Sequence, residues 1–269
     1  MKIKANGIEM NYELSGTGPC LVLIHGFSDN LTMWYNQVPA FSPSHQVLTY
    51  DVRGFGQTES PDGPYSMELF AEDLYQLLQA LKVASACVLG YSMGGRIALE
   101  FALGHPEMTT GLIFANSGVA PADMKMAPEQ MAQMAERRQM MMALIESGDN
   151  EAISDAMAER SLSPGLREKK PEVFQRYKEV KLKNSPRAYK AIMEAMGQAM
   201  MKPPDLSRLA CPVLIIAGEQ DGFMAVDVAE AMKRTLKRSM IVVLPTGHAA
   251  AVEAPEDFNR AVLDFTARL

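Results

Sequence analysis

The sequence predicts an α/β fold in which helices flank a mostly parallel sheet and a helical segment interrupts the strand order. Two observations carry this prediction. Short apolar runs alternate with helix-like segments at both ends of the chain, and no strand pattern occurs between 121 and 205. The 269 residues suffice for one large domain or two ordinary ones. With 48% hydrophobic and 22% charged residues, a disordered or fibrous chain is excluded.

The N-terminal part predicts strands and helices in alternation. Residues 8–14 alternate apolar and polar side chains, as a half-exposed strand does. Helices are predicted over 66–81, with Ser66 as N-cap, and over 92–103, which ends at Gly104 and Pro106. Continuous apolar runs typical of strands buried on both faces occupy 21–24, 47–50, 87–89 and 112–115.

The segment from 121 to 205 has long helical stretches and holds 12 of the 21 Met. The alternation then resumes with a strand at 213–217, a helix at 225–236, a strand at 240–244 and a final helix opening with Pro255. We therefore expect a core domain of 1–120 and 206–269 and a helical cap of 121–205.

Charge and cysteine content bound the partners and the compartment. The net charge of −6 offers no basic footprint for nucleic acid, and no apolar run is long enough to span a membrane. The N-terminus lacks a signal-peptide pattern, and three scattered Cys indicate buried, reduced thiols rather than a disulfide framework or a metal site. We expect a cytoplasmic protein without a metal or other cofactor.

The strongest chemical signal is Gly90-Tyr91-Ser92-Met93-Gly94, placed between a predicted strand and a predicted helix. A nucleophile on a sharp strand-to-helix turn needs small neighbours, and a helix N-terminus stabilises developing negative charge. The structural alternative is that Ser92 is an ordinary helix N-cap, but that role would not require the glycines two residues before and after it. The context therefore predicts a nucleophilic serine.

Together with four further motifs, this segment resembles the α/β-hydrolase superfamily over nearly the whole chain. The other motifs are His25-Gly26-Phe27, Asp51 to Thr58, Gly218-Glu219-Gln220-Asp221 and Gly247-His248. The resemblance implies an eight-stranded sheet and a triad in the order Ser92, Asp221, His248. It also implies an oxyanion hole formed by the backbone N–H groups of Phe27 and Met93.

Each assigned role has a structural alternative. His248 could be an ordinary turn histidine, and His25 is expected to shape the oxyanion loop rather than titrate. Some family members carry the acid after an earlier strand, but that turn here reads Asn116-Ser117-Gly118 and has no carboxylate, which favours Asp221.

The Met-rich segment predicts either core packing or a lid over an apolar pocket, since Met adapts readily to irregular surfaces. As candidate pocket residues we take Trp34, Met131, Met134, Met140, Met196 and Phe223, with Met141, Met142 and Met224 as further candidates.

The motifs look most like those of esterases and the cofactor-free haloperoxidase or perhydrolase group. C–C bond hydrolases carry a glycine-richer oxyanion loop, and enol-lactonases usually lack the His-Gly pair, so both are disfavoured alternatives. We expect hydrolysis of small to medium, mainly apolar esters through an acyl-serine, by a protein that can form a homodimer. A small-molecule receptor without turnover is a more distant alternative, because every triad member is present.

Overall fold

The computed structural model describes residues 1–119 and 128–269, apart from the side chains of residues 128, 130, 131, 133 and 134. The described strands form a single sheet in the order β1-β2-β4-β3-β5-β6-β7-β8. The first two are antiparallel to their neighbours, and β3 to β8 run parallel. The strands are β1 Lys2–Ala5, β2 Ile8–Ser15, β3 Cys20–Ile24, β4 Gln46–Tyr50, β5 Ala86–Tyr91, β6 Thr109–Ala115, β7 Val213–Gly218 and β8 Ser239–Leu244.

Helices connect these strands and pack on both faces of the sheet. Alternate residues of β3 enter two separate cores: Val22 packs with α2, α3 and α9, and Leu23 packs with α1 and α11. Every residue of β3 is therefore buried, which explains its continuous apolar run. The helices are α1 Gln37–Phe41, α2 Met67–Ala80, α3 Met93–Gly104, α4 Pro128–Ser147, α5 Asn150–Ser161, α6 Leu166–Lys169, α7 Pro171–Leu182, α8 Tyr189–Met200, α9 Val226–Thr235, α10 Ala250–Glu253 and α11 Pro255–Thr266.

This architecture confirms the predicted fold class, and local signals define several helix ends. The Ser66 hydroxyl accepts a hydrogen bond from the N–H of Leu69 at 3.0 Å, which caps α2 as expected. Helix α3 begins directly after Ser92 and ends at Gly104. The thiols of Cys20 and Cys87 are buried, and burial raises the pKa of Cys20 to about 12.

Helices α4 to α8 lie between β6 and β7, where the helical cap is predicted. No strand occurs in the described part of this segment, from 128 to 205. Short loops separate its helices, as where α4 stops at Ser147 and α5 starts at Asn150. The predicted domain boundary near 120 lies outside the described residues.

A buried network joins the cap to the loop after β3. Lys181 on α7 pairs with Asp29 at 2.7 Å, and both side chains are only 1% exposed. The Asn184 amide donates to the carbonyl of Ser28 at 2.8 Å, and its oxygen accepts from the N–H of Gly56 at 2.7 Å. The cap is thus fastened to the two loops that follow β3 and β4.

Candidate active site

Ser92 occupies the tight turn between β5 and α3. Its φ of 52° and ψ of −117° lie in a region that non-glycine residues rarely adopt. A Cβ on Gly90 would overlap the carbonyl of Gly94, and a Cβ on Gly94 would overlap the carbonyl of Ile24. The two glycines are therefore required for the close packing of this turn, which presents the Ser92 side chain at the carboxyl edge of the sheet.

His248 and Asp221 come from the loops after β8 and β7. The Nε2 atom of His248 lies 2.8 Å from Ser92 Oγ, and its Nδ1 lies 2.8 Å from Asp221 Oδ2. Because an ionised carboxylate can only accept, Nδ1 carries the proton and Nε2 has a free lone pair. The arrangement can therefore take a proton from the Ser92 hydroxyl as this oxygen attacks a carbonyl.

The Asp221 carboxylate is fully buried and accepts several hydrogen bonds. Its Oδ1 accepts from the N–H groups of Phe223 at 2.8 Å and Met224 at 3.0 Å. Burial raises the pKa of Asp221, but the hydrogen bond and charge of His248 and these two N–H groups outweigh burial, so the pKa is lowered. Asp221 is thus held in the ionised form that orients the imidazole.

His25 holds the loop after β3 through hydrogen bonds to the backbone, which is the structural role expected from the sequence. The N–H of Val52 donates to His25 Nε2 at 2.9 Å, so the proton must reside on Nδ1, which donates to the carbonyl of Gly26 at 2.8 Å. Burial lowers the pKa of His25 and keeps it neutral. Neither Phe27 N–H nor Met93 N–H donates to any described group, so both remain available to a substrate oxyanion.

Asn116 is a residue of this site that sequence reasoning did not select. Its amide donates to Asp221 Oδ2 and to the carbonyl of Gly247, both at 3.2 Å, and its oxygen accepts from the N–H of Ala250 at 3.4 Å. Asn116 thus joins the loop that carries the acid to the loop that carries the base. Its position after β6, where other family members place the acid, was the available signal.

Glu253 supports the histidine loop from the other side. Its carboxylate accepts from the N–H of Gly247 at 2.9 Å and from both the N–H and the hydroxyl of Ser163 in the cap. Burial raises the pKa of Glu253, against the opposing effect of these hydrogen bonds. Glu253 therefore connects the cap to the loop that positions His248.

Ser92 and His248 lie between two cavities. The first, of about 210 Å³, is covered by the cap and is lined by side chains from α4, α5 and α8, among them Met141, Met157 and Met193. The second, of about 250 Å³, is lined by Arg96 and Asn116 as well as by five methionines, namely Met67, Met93, Met196, Met200 and Met224. Both cavities are smaller than the usual ligand pocket of about 300–1,000 Å³.

The structure places the predicted pocket residues differently from one another. Met196 and Phe223 line both cavities. Trp34 is fully buried in the core that contains residues of α1 and α11. It lines neither cavity. Met140 is 66% exposed, because the helical phase of α4 turns Met141 inward instead. The prediction was therefore wrong for Trp34 and Met140.

The side chains of Met131 and Met134 lie outside the described residues, so their assignment to the pocket stays a prediction. Sequence reasoning also missed three arginines that line the first cavity. They are Arg137, Arg138 and Arg160. From the sequence alone, charged residues on cap helices are predicted to face solvent, because the rotation of each helix about its axis is unknown.

The described part of the chain contains neither a group of metal-ligating side chains nor a helix that could span a membrane. No three His, Cys, Asp or Glu side chains there are grouped so as to hold a metal ion. No helix there combines the length and the apolar character needed to cross a membrane.

Comparison with known proteins shows the family of this chain. The family model for the alpha/beta hydrolase fold matches residues 19–255. The 3-oxoadipate enol-lactonase 2 of Acinetobacter baylyi is 29% identical over 262 residues, which cover 97% of this chain and 94% of that protein.

Two solved structures are also similar over their full length. The enol-lactonase from Burkholderia xenovorans LB400 has a TM-score of 0.85 and 26% identity, covering 99% of this chain and 100% of that one. A thermophilic esterase from Thermogutta terrifontis has a TM-score of 0.84 and 29% identity, covering 100% of this chain and 98% of that one. The sequence, the sheet and the matched family model agree, and the chain belongs to the alpha/beta hydrolase fold family.

Proposed function

We propose that this protein hydrolyses carboxylic esters or lactones through an acyl-serine intermediate on Ser92. The observation that carries the proposal is the chain of hydrogen bonds from Ser92 Oγ to His248 Nε2 and from His248 Nδ1 to Asp221. A serine hydroxyl is a poor nucleophile until a positioned base accepts its proton, and this geometry supplies that base.

The reaction would proceed in two halves. Ser92 Oγ attacks the ester carbonyl while His248 accepts its proton, and the oxyanion accepts hydrogen bonds from Phe27 N–H and Met93 N–H. His248 then returns the proton to the departing alkoxide, which leaves the acyl group on Ser92. In the second half His248 activates water, which attacks the acyl-serine and releases the acid.

The two kinds of relative bear on the choice of substrate. The His25-Gly26 pair predicts against an enol-lactonase, but the similar proteins include enol-lactonases as well as an esterase. A lactone is an internal ester and needs the same acyl-serine chemistry, so the proposal covers lactones beside open-chain esters. C–C bond hydrolysis and perhydrolysis are the alternatives, and a cytoplasmic location and a homodimer stay predictions.

The test is a series of 4-nitrophenyl esters of increasing acyl length, assayed with the wild type, Ser92→Ala and, as a matched control, Ser147→Ala. Ser147 ends α4 on the surface, away from both cavities. We expect turnover by the wild type and the control, a burst of about one equivalent of nitrophenol, and a loss of at least a thousandfold in Ser92→Ala. Equal activity of Ser92→Ala would refute the acyl-serine mechanism.

A further inference from the structure

The cavity beneath the cap contains a cluster of positive charge. Arg137 and Arg138 lie on α4 and Arg160 lies on α5, and all three line the cavity that contains Ser92 and His248. No described residue lining this cavity is acidic. A chain with a net charge of −6 has thus gathered three guanidinium groups at its candidate active site.

Each guanidinium contacts the cavity wall without a described carboxylate partner; Arg137 and Arg138 are exposed to solvent, and Arg160 is half-buried. Arg137 Nη1 donates to the carbonyl of Gly222 at 3.1 Å, and Arg160 lies 5.0 Å from the centre of the Phe223 ring. The Arg138 guanidinium packs over Gly197 of α8, where a Cβ would overlap it.

Other arginines in the described part of the chain form ion pairs with carboxylates, unlike the three that line the cavity. Arg53 is buried and pairs with Asp73 at 2.6 Å, and Arg96 pairs with Glu100 at 2.7 Å. The three cavity arginines form no ion pair with a described carboxylate. Burial and the charge of Arg137 lower the pKa of Arg160, which shows that the two charges repel each other.

We propose that Arg137, Arg138 and Arg160 form an anion subsite that binds a carboxylate of the ester or lactone substrate. An anion placed among them would relieve their mutual repulsion, and a guanidinium matches the geometry of a carboxylate with two parallel hydrogen bonds. The inference deepens the proposed ester hydrolysis and rests on it.

The two cavities then divide the substrate between them. The carboxylate-bearing part lies beneath the cap against the arginines, and the reacting carbonyl lies at Ser92. The remaining apolar part lies in the second cavity, which the methionines line. Because Phe223 and Met196 line both cavities, they form the partition at which the reacting carbonyl is centred.

The test compares ester pairs of similar shape that differ in charge. One pair, 4-nitrophenyl hydrogen glutarate and 4-nitrophenyl pentanoate, carries the carboxylate on the acyl side. The other, 4-acetoxybenzoate and 4-methylphenyl acetate, carries it on the alcohol side. For at least one pair we expect the wild type to prefer the anionic ester in kcat/KM by tenfold or more.

The variants are Arg160→Gln, the double variant Arg137→Gln/Arg138→Gln and, as a control, Arg187→Gln. Arg187 pairs with Asp62 on the exposed surface, so its variant removes the same charge without touching the cavity. A charge-assisted hydrogen bond is typically worth about tenfold or more in binding. We expect the anionic preference to fall by about tenfold in both cavity variants and to persist in Arg187→Gln.

Binding to Ser92→Ala gives a second measurement that does not depend on turnover. Calorimetry with 4-nitrophenyl hydrogen glutarate and 4-acetoxybenzoate should show a Kd about tenfold weaker when Arg160→Gln is added to Ser92→Ala, with circular dichroism confirming the fold. Turnover of neutral esters together with no anionic preference, or a preference that survives both cavity variants, would overturn the anion subsite alone. If the wild type turns over no ester at all, the proposed function fails instead.

Discussion

Replacing Lys181 by Met tests whether the buried pair between Lys181 and Asp29 holds the oxyanion loop in place. Met retains most of the length of the Lys side chain but removes its charge and its hydrogen bonds to Asp29 and Ser28. Asp29 lies two residues after Phe27, whose N–H is the proposed oxyanion donor, and Lys181 lies on α7 of the cap. The substitution therefore releases the cap from the loop at one defined point.

The expected magnitude follows from the geometry of the pair. At a separation of 2.7 Å the Coulomb attraction is about 6 kcal/mol with an effective dielectric constant of about 20. Burial lowers the pKa of Lys181 more than the nearby Asp29 carboxylate raises it, so the cost of desolvation offsets the attraction between the two charges. In Lys181→Met, however, the Asp29 carboxylate stays buried, and the hydroxyl of Tyr177, at 3.3 Å from Asp29 Oδ2, is the described side chain that still donates a hydrogen bond to it. Isolating one member of such a pair costs about 3–5 kcal/mol.

The assay is urea unfolding followed by circular dichroism, combined with kcat and KM for the best 4-nitrophenyl ester. Lys181→Met should lower the unfolding free energy by about 3–5 kcal/mol and lower kcat more than it raises KM, because the oxyanion donor acts in the transition state. The double variant Asp29→Asn/Lys181→Met carries no buried charge and should recover at least about 2 kcal/mol. If Lys181→Met costs less than about 1 kcal/mol, or if the double variant is the less stable of the two, the account of the pair is wrong.

Three further predictions concern the triad and its supports. Asp221→Asn should keep the wild-type unfolding midpoint but lower kcat by about 10⁴, because an amide no longer enforces the required imidazole tautomer; activity within tenfold of wild type would place the acid elsewhere. Asn116→Ala removes the hydrogen bonds to Asp221 and to Gly247, so kcat should fall about tenfold with KM little changed, and an unaltered kcat would make Asn116 dispensable. Because the pKa of Glu253 is raised above its ordinary value of 4.5, the carboxylate that accepts from Gly247 N–H becomes protonated as the pH falls through that raised value, which weakens this support. Glu253→Gln should therefore lower kcat at pH 7 and flatten this acidic decline, and a pH–rate profile that matches the wild type would contradict the role.

The sheet and the serine were predictable because their signals are local in sequence. A strand buried on both faces must be apolar throughout, as in β3, and the turn at Ser92 needs glycines at fixed offsets whatever surrounds it. Asp221 and His248 are also marked by short motifs after strands, and parallel strands bring their carboxyl ends to one edge of the sheet. The hydrogen bonds among the three side chains follow from that shared edge.

The cavity lining was not predictable because it depends on how the cap helices are rotated against the sheet. Met140 and Met141 are neighbours in sequence, yet Met140 is exposed and Met141 is buried in the cavity wall. Trp34 is predicted to line the pocket, but the short helical turn at Leu31–Trp34 places its side chain in the opposite core. Adjacent residues of a helix point about 100° apart around its axis, and only tertiary packing decides which of them faces the cavity.

The methionines and the arginines of the site have complementary roles. Methionine is unbranched and polarizable, so the wall formed by Met193, Met196 and Met224 can adapt to apolar groups of different shape at little cost. Such a wall discriminates weakly between substrates, since one methylene is worth only about 1–3 kcal/mol. Fixed charges such as Arg160 discriminate strongly, because a substrate without the matching carboxylate leaves them uncompensated in a part-buried cavity. The surplus of methionine therefore explains how substrates of varied size can fit, and the arginines explain how one chemical class among them would be selected.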